Sequence, residues 1–97
     1  MTGFQWDAEK AKANLRKHGV AFAEAAWVFL DPLSVTIHDP DHSESEDRYL
    51  TVGASASGRL LIVGHTNRGD QIRIVSARRL TRTERKEYED EIQERQG

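Results

Sequence analysis

The sequence contains no cysteine, so neither a disulfide nor a thiolate zinc site can reinforce the fold, and no cysteine nucleophile is available. That composition fits a reducing cytoplasm. Long apolar runs are missing too. The longest stretches, such as Leu60–Val63, are far too short to cross a membrane, and the opening Met1-Thr2-Gly3-Phe4-Gln5-Trp6 has neither the basic nor the apolar region of an export signal. No GxGxxG, Walker A, GxSxG or HExxH pattern occurs, which removes the commoner nucleotide-binding and hydrolase signatures. Repeats, low-complexity segments and long linkers are absent as well. What is left is a chain of 97 residues, expected to form one domain over 1–97. A chain of this size buries only about 60–65% of its unfolded surface, so a modest core must carry the fold.

A formal net charge of −2 argues against a simple polyanion binder, but the average hides a strong asymmetry. From Arg59 to Lys86 eight cations face only Asp70 and Glu84, giving +6. From Glu24 to Asp47 there are seven carboxylates and no Lys or Arg, giving −7, and the last eleven residues carry −4. Segregation of this kind makes a local field that net charge does not report. The cationic stretch is therefore the expected working surface.

Asp7 is a plausible N-cap for a helix over Ala8–His18, closed by Gly19. A second helix is expected over about Ala23–Leu30, ended by Asp31-Pro32. The pattern then changes period. Ser34–His38, Arg48–Ala54, Arg59–His65 and Gln71–Ser76 read as four short strands, joined in part by the turn-like segments Ser55–Gly58 and Asn67–Asp70. Thr81-Arg82-Thr83-Glu84 is a capping box that opens a last helix through about Gln93. The expected fold is α+β, with two N-terminal helices, a four-stranded antiparallel sheet and a C-terminal helix.

The densest chemistry lies in Ile72-Arg73-Ile74-Val75-Ser76-Ala77-Arg78-Arg79. Simple alternation puts Arg73 and Val75 on one face and Ile72 and Ile74 on the other. Arg78, Arg79 and Arg82 follow at the strand end and helix start. Guanidinium groups suit phosphate because they donate two parallel hydrogen bonds and keep their charge. Histidine is the second signal, since a group titrating near neutrality can move the protons that cleavage of RNA through its 2′-OH requires. His18 ends a helix, where a dipole-stabilised cap is the plainer role. His65 ends the third strand, beside a turn. His38 and His42 lie among Asp39, Asp41 and Glu44, but a loop offers no fixed ligand geometry, so no metal and no cofactor is assigned. Trp6 could stack on a base or staple the first helix, and Tyr88 is expected to pack on the sheet.

Several residues fall in a recognisable order. Phe4-x-Trp6-Asp7 is followed by Asn14-x-x-Lys17-His18-Gly19-Val20-x-Phe22 and Ala25-x-x-Val28-Phe29-x-Asp31. Later come Glu46-x-Arg48, His65-Thr66-x-Arg68 and Ile72-Arg73-Ile74-Val75-Ser76-Ala77-Arg78, with Tyr88 beyond. Over about residues 4–88 this series resembles the BrnT family of toxins from bacterial type II toxin–antitoxin systems. The resemblance implies a RelE-like fold and metal-independent endoribonuclease activity that halts translation. It also implies neutralisation by a BrnA-type antitoxin with a dimerising DNA-binding domain. By motif, the implied site residues are Lys17, His18, His65, Arg68, Arg73, Ser76 and Arg78, with Arg73 and Arg78 on the phosphate and His65 or His18 moving protons. The sequence departs from the family pattern at Ala8, where proline commonly follows Trp-Asp, and at Asn67, where a glutamate is expected.

Two other readings stand beside this one. The basic face could dock an acidic protein partner without catalysis, in keeping with the negative total charge. A DNA-binding role is less supported, because the last helix turns acidic after Lys86 and cannot serve as a recognition helix.

Overall fold

Asp7 starts the first helix as its sequence suggests. Its carboxylate accepts the N–H groups of Glu9 (2.8 Å) and Lys10 (3.1 Å), and α1 runs over Ala8–His18. Gly19 takes φ +70°, a left-handed conformation that glycine reaches without a Cβ penalty, and returns its N–H to Leu15 O at 2.8 Å. The computed structural model describes residues 3–42 and 46–96, without the side chains of His42 and Gln96.

The expected second helix begins one residue early and changes character. An α-helical turn, α2 (Phe22–Ala25), tightens into a 3₁₀ turn over Ala26–Leu30. Phe22, Ala25 and Val28 are the buried positions here, and a spacing of three is the one that a 3₁₀ turn aligns on a single side. Asp31 then closes the segment. Its carboxylate accepts Leu33 N–H (2.9 Å) and, across the chain, Ala54 N–H (2.8 Å).

Five strands form one sheet in the order β1-β5-β4-β3-β2, comprising β1 (Gly3–Gln5), β2 (Val35–His38), β3 (Arg48–Ala54), β4 (Leu60–Arg68) and β5 (Gln71–Arg79). The four expected strands are present as an antiparallel meander. The expectation of a four-stranded, wholly antiparallel sheet is corrected by β1, which pairs parallel to β5 with Phe4 opposite Ile72. Three residues carry no alternation to read, and the partner lies at the far end of the chain. The β4–β5 hairpin is also longer than expected, with strand running to Arg68 and resuming at Gln71, so that Gly69 and Asp70 alone make the turn. Gly69 has φ +63°, which a short hairpin of this kind requires.

One face of the sheet is covered by α1, α2 and the 3₁₀ turn. The core lies between them: Val20, Phe22, Ala25, Val28, Leu61, Val63, Ile74 and Ala77. Asn14 is buried among them and joins helix to strand. Its amide donates to Val20 O (2.9 Å) and Ala77 O (2.8 Å) and accepts Ala77 N–H (3.1 Å), so that it stands in for a neighbouring strand along β5. The other face is covered only in part. The last helix, α3 (Arg82–Gln96), starts with the expected box, Glu84 N–H donating to Thr81 Oγ1 (3.2 Å) and Thr81 N–H to Glu84 Oε1 (2.8 Å). It rests on Val35, Val52 and Ile62 through Tyr88, whose hydroxyl donates to Leu33 O at 3.1 Å. Among the described residues, no helix is long and apolar enough to cross a membrane.

Candidate functional site

The half of the sheet that α3 leaves open is organised by one irregularity. Across β4 and β5, Gly64 pairs with Ser76 but His65 pairs with Ile74, so Val75 is an extra residue without a partner. Such a bulge breaks the alternation of side chains along its strand. Arg73 is opposite Thr66 and Ser76 is opposite Gly64, and Gly64 and Thr66 lie on the same side of β4. Arg73, Ser76 and Arg78 therefore share the open face. Simple alternation, which would set Arg73 against Ser76 and Arg78, is corrected.

A groove of about 460 Å³ crosses this face, lined by His18, Asp39, Arg48, Leu50, Gly64, Ser76 and Arg78, with Ile62 and Ala77. A shallower depression of about 290 Å³, lined by Lys10, Lys17 and Val75 among others, shares His18 and Ser76 with it. The end of α1 thus borders both. Gly64 keeps the floor low. A Cβ there would sit 2.5 Å from Ser76 Oγ, so any side chain would push the hydroxyl away.

The arginines differ sharply in what holds them. Arg78 makes a two-pronged ion pair with Glu84, Nη1–Oε1 at 2.8 Å and Nη2–Oε2 at 2.9 Å, and also donates to Arg79 O at 3.2 Å. Arg78 and the Thr81 N–H hold Glu84 down at about 2, so it is a carboxylate at any working pH. Among the described residues Arg73 has one weak hydrogen bond, Nη1 to Gln5 Oε1 at 3.4 Å. Its charge reaches Glu46, whose carboxyl is lowered first by Arg68 and also by Arg73 and Arg48. Arg68 pairs with Glu46 at 2.9 Å at the rim of the sheet. Arg59 is spent elsewhere. It holds Glu24, together with Ser55 and Ser57, and brings that carboxyl down to about 2. Arg85 pairs with Glu89 at 2.9 Å on α3. The expectation that Arg59–Lys86 forms one cationic surface is corrected, because alternation and these carboxylates divide it.

His65 does not belong to the open face, which corrects the expectation that it stands ready at a strand end. It is 2% exposed on the helix-covered side, edge-on to Phe29 (4.9 Å between centroids) and stacked on Tyr49 (5.9 Å). The 3₁₀ turn, which carries Phe29, covers it. Its Nε2 meets Thr51 Oγ1 at 2.8 Å, its Nδ1 meets Asn67 Oδ1 at 3.2 Å, and burial lowers its pKa. His18 is half-buried and lines the groove directly. Lys17 is exposed beside it. Arg79 pairs opposite Leu61 and so points away from Arg78. Arg82 is exposed at the start of α3. Trp6 sits edge-on to Phe22 of α2 at 6.0 Å and keeps 37% of its surface exposed.

Arg48 and Asp39 line the groove although charge counting passed them over. Arg48 lies outside the cationic stretch, and its one signal was the Glu46-x-Arg48 element. Two paired strands bring it to Thr66, beside Arg73. Glu44 and the side chain of His42, which carried the hint of a metal, lie outside the described residues. Among the described residues, no three His, Cys, Asp or Glu side chains converge as metal ligands would. What the face offers is fixed guanidinium groups, a serine hydroxyl and a histidine along an open channel. These can bind a phosphodiester and move a proton.

The solved structure of the Brucella abortus ribonuclease toxin BrnT, determined at 1.1 Å, superposes with a TM-score of 0.62 at 20% identity, covering 84% of this chain and all of that one. At that identity the likeness concerns the fold. No curated protein matches the chain in sequence. The family model described as the ribonuclease toxin BrnT of type II toxin–antitoxin systems matches residues 6–84. That span holds both grooves' catalytic candidates, from α1 to the Glu84 that anchors Arg78, and the chain belongs to the BrnT family of ribonuclease toxins.

Proposed function

We propose that the protein is a metal-independent endoribonuclease whose open sheet face seats the backbone of an RNA strand. What carries this reading is the gathering of Arg73, Ser76 and Arg78 on one face, with His18 at its border. In the reaction, the ribose 2′-oxygen attacks phosphorus and the 5′-oxygen leaves, so one proton is removed and one is supplied. His18 is the imidazole that lines the groove, and it is the group assigned to moving these protons. Arg73 and Arg78 neutralise the dianion that develops at phosphorus. Lys17, Arg68, Arg82 and Trp6 act farther along the strand, as charge and as a stacking surface, while Arg79, turned to the other side of the sheet, adds only long-range charge. His65, without access to solvent, keeps a structural part.

In this reading the whole chain acts as one toxin domain in the cytoplasm and inhibits translation by cutting RNA. A BrnA-type antitoxin neutralises it, and DNA is met only through that partner's dimerising DNA-binding domain. The test is cleavage of RNA by the purified protein, with and without EDTA. Wild type should cut equally in both. Arg73→Ala or His18→Ala should each lower kcat/KM by about 100-fold without loss of folded protein. RNA left whole by folded wild type, while the antitoxin still binds with an affinity that falls steeply in salt, would favour a non-catalytic basic docking module instead.

A further inference from the structure

The capping box of α3 was readable as a device for starting a helix. Its carboxylate is also engaged with the groove. Glu84 Oε1 accepts both Thr81 N–H and Arg78 Nη1, and Oε2 accepts Arg78 Nη2. A glutamine at this position would complete a capping box equally well. What the carboxylate adds, beyond a favourable charge in the first turn of the helix, is the two-pronged ion pair with the guanidinium opposite.

The geometry of that pair is directional. An arginine has two forks of parallel N–H groups, one end-on through Nη1 and Nη2 and one side-on through Nε and Nη2. Glu84 takes the end-on fork, and the third contact, to Arg79 O, also uses Nη1. Among the described residues Nε makes no hydrogen bond, and the second hydrogen of Nη2 is likewise unused. The two partners also face different spaces. Arg78 lines the open groove with Ser76 and Gly64, whereas Glu84 lines the separate cleft beneath α3. The carboxylate takes the end-on fork and leaves the side-on fork without a partner among the described residues, on a guanidinium whose residue lines the groove.

We infer that Glu84 is a positioning residue for the ribonuclease site: it fixes Arg78 by its end-on fork so that the side-on fork is presented to the scissile phosphate. This rests on the ribonuclease reading above. It also explains why a cation already paired within the protein can serve a phosphate. The guanidinium stays fixed and spends only donors that Glu84 does not use.

The inference separates from a role in charge alone and from a role in helix capping alone. Removing an acid beside the groove makes the face more positive, so charge alone predicts tighter RNA binding and undiminished turnover. Positioning predicts that Glu84→Ala lowers kcat by about 10- to 100-fold while KM does not rise, because a displaced catalytic group costs turnover rather than binding. Thr81→Ala removes the other half of the box and controls for helix capping. It should lower thermal stability while leaving kcat near wild type. In a double-mutant cycle, Arg78→Ala with Glu84→Ala should be no slower than Arg78→Ala alone. Wild-type kcat in Glu84→Ala, an equal loss in Thr81→Ala, or additive losses in the double variant would each overturn the inference.

A binding measurement keeps this distinct from failure of the ribonuclease reading. With a 2′-O-methyl RNA oligonucleotide, which cannot be cut, the Nε–H signal of Arg78 in the NMR spectrum should shift on titration in wild type and lose that response in Glu84→Ala. If the wild type leaves RNA whole yet shows this pattern, only the catalytic reading fails. If the signal does not respond in the wild type, the positioning role is overturned whether or not RNA is cut.

Discussion

Thr36, Thr51, His65 and Asn67 form a chain of hydrogen bonds whose directions follow the protonation of His65, taken here as neutral. Asn67 Oδ1 can only accept, so His65 carries its hydrogen on Nδ1, Nε2 accepts from the Thr51 hydroxyl, and Thr51 Oγ1 accepts from Thr36. Neutral imidazole satisfies this chain, and burial favours that state, pushing His65 below its ordinary 6.5 against the opposing pull of the Asn67 contact. The unfolded chain therefore takes up this proton more readily than the folded one. Stability from neutral His65 is fully present above about pH 6.5 and is lost as pH falls below it. Glu24 and Glu84, held at about 2, stay ionised throughout that window. Denaturant titrations between about pH 7 and pH 5 should show the wild type losing stability, whereas His65→Gln, less stable at the outset, should give a flatter profile. His18, the same residue type, differs in place, because α1 ends at the rim of a groove that the half-buried ring lines.

At the scale of the element, Asn14 shows how one side chain can do the work of a strand. β1 reaches only as far as Arg73, and beyond it Asn14 meets both the N–H and the C=O of Ala77. Asn14→Ala should cost about 2–4 kcal/mol, since it leaves buried backbone groups unpaired, and chemical denaturation should report it as a lower midpoint at unchanged slope. Asn14→Asp should be no better, because a carboxylate would face two carbonyl oxygens. These contacts also mark what the sequence could disclose. Helix ends were legible because capping is local: Asp7, Gly19 and the Thr81–Glu84 box each act within a few residues. Strands of the meander were legible from their β-branched runs. The parallel β1, the bulge at Val75 and the cover over His65 depend on residues distant in the chain, so local patterns did not carry them. The site was legible in residue type, as arginines near a strand end, and less so in arrangement. Arg48, Arg59 and His65 exchanged places between surface, ion pair and core once the sheet closed.

At the scale of the whole molecule, a chain of net charge −2 has to attract a polyanion. It does so by retiring cations it cannot use. Arg59 and Arg85 are matched to carboxylates away from the groove, while Arg48, Arg73 and Arg78 line or border it. RNA affinity should therefore follow a small number of phosphate contacts rather than the total charge. With these three arginines engaged, log affinity against log salt should have a slope of at least about −2, steeper for strands long enough to reach the outlying cations, and Arg73→Ala should lessen it by about 0.7. A slope near zero, or one unmoved by the substitution, would contradict this account of the face. The bulge has a consequence of its own for how such a protein tolerates change. Along a strand, side chains are addressed as even and odd, and Val75 is the residue at which the count is reset. Deleting it would close the bulge and leave Gly64–Ser76, His65–Ile74 and Thr66–Arg73 paired as they are, so Arg73, Ser76 and Arg78 would keep the open face in a regular ladder. A substitution at that position edits one side chain, and a deletion there takes out the spare residue while every address on both arms of the hairpin is kept.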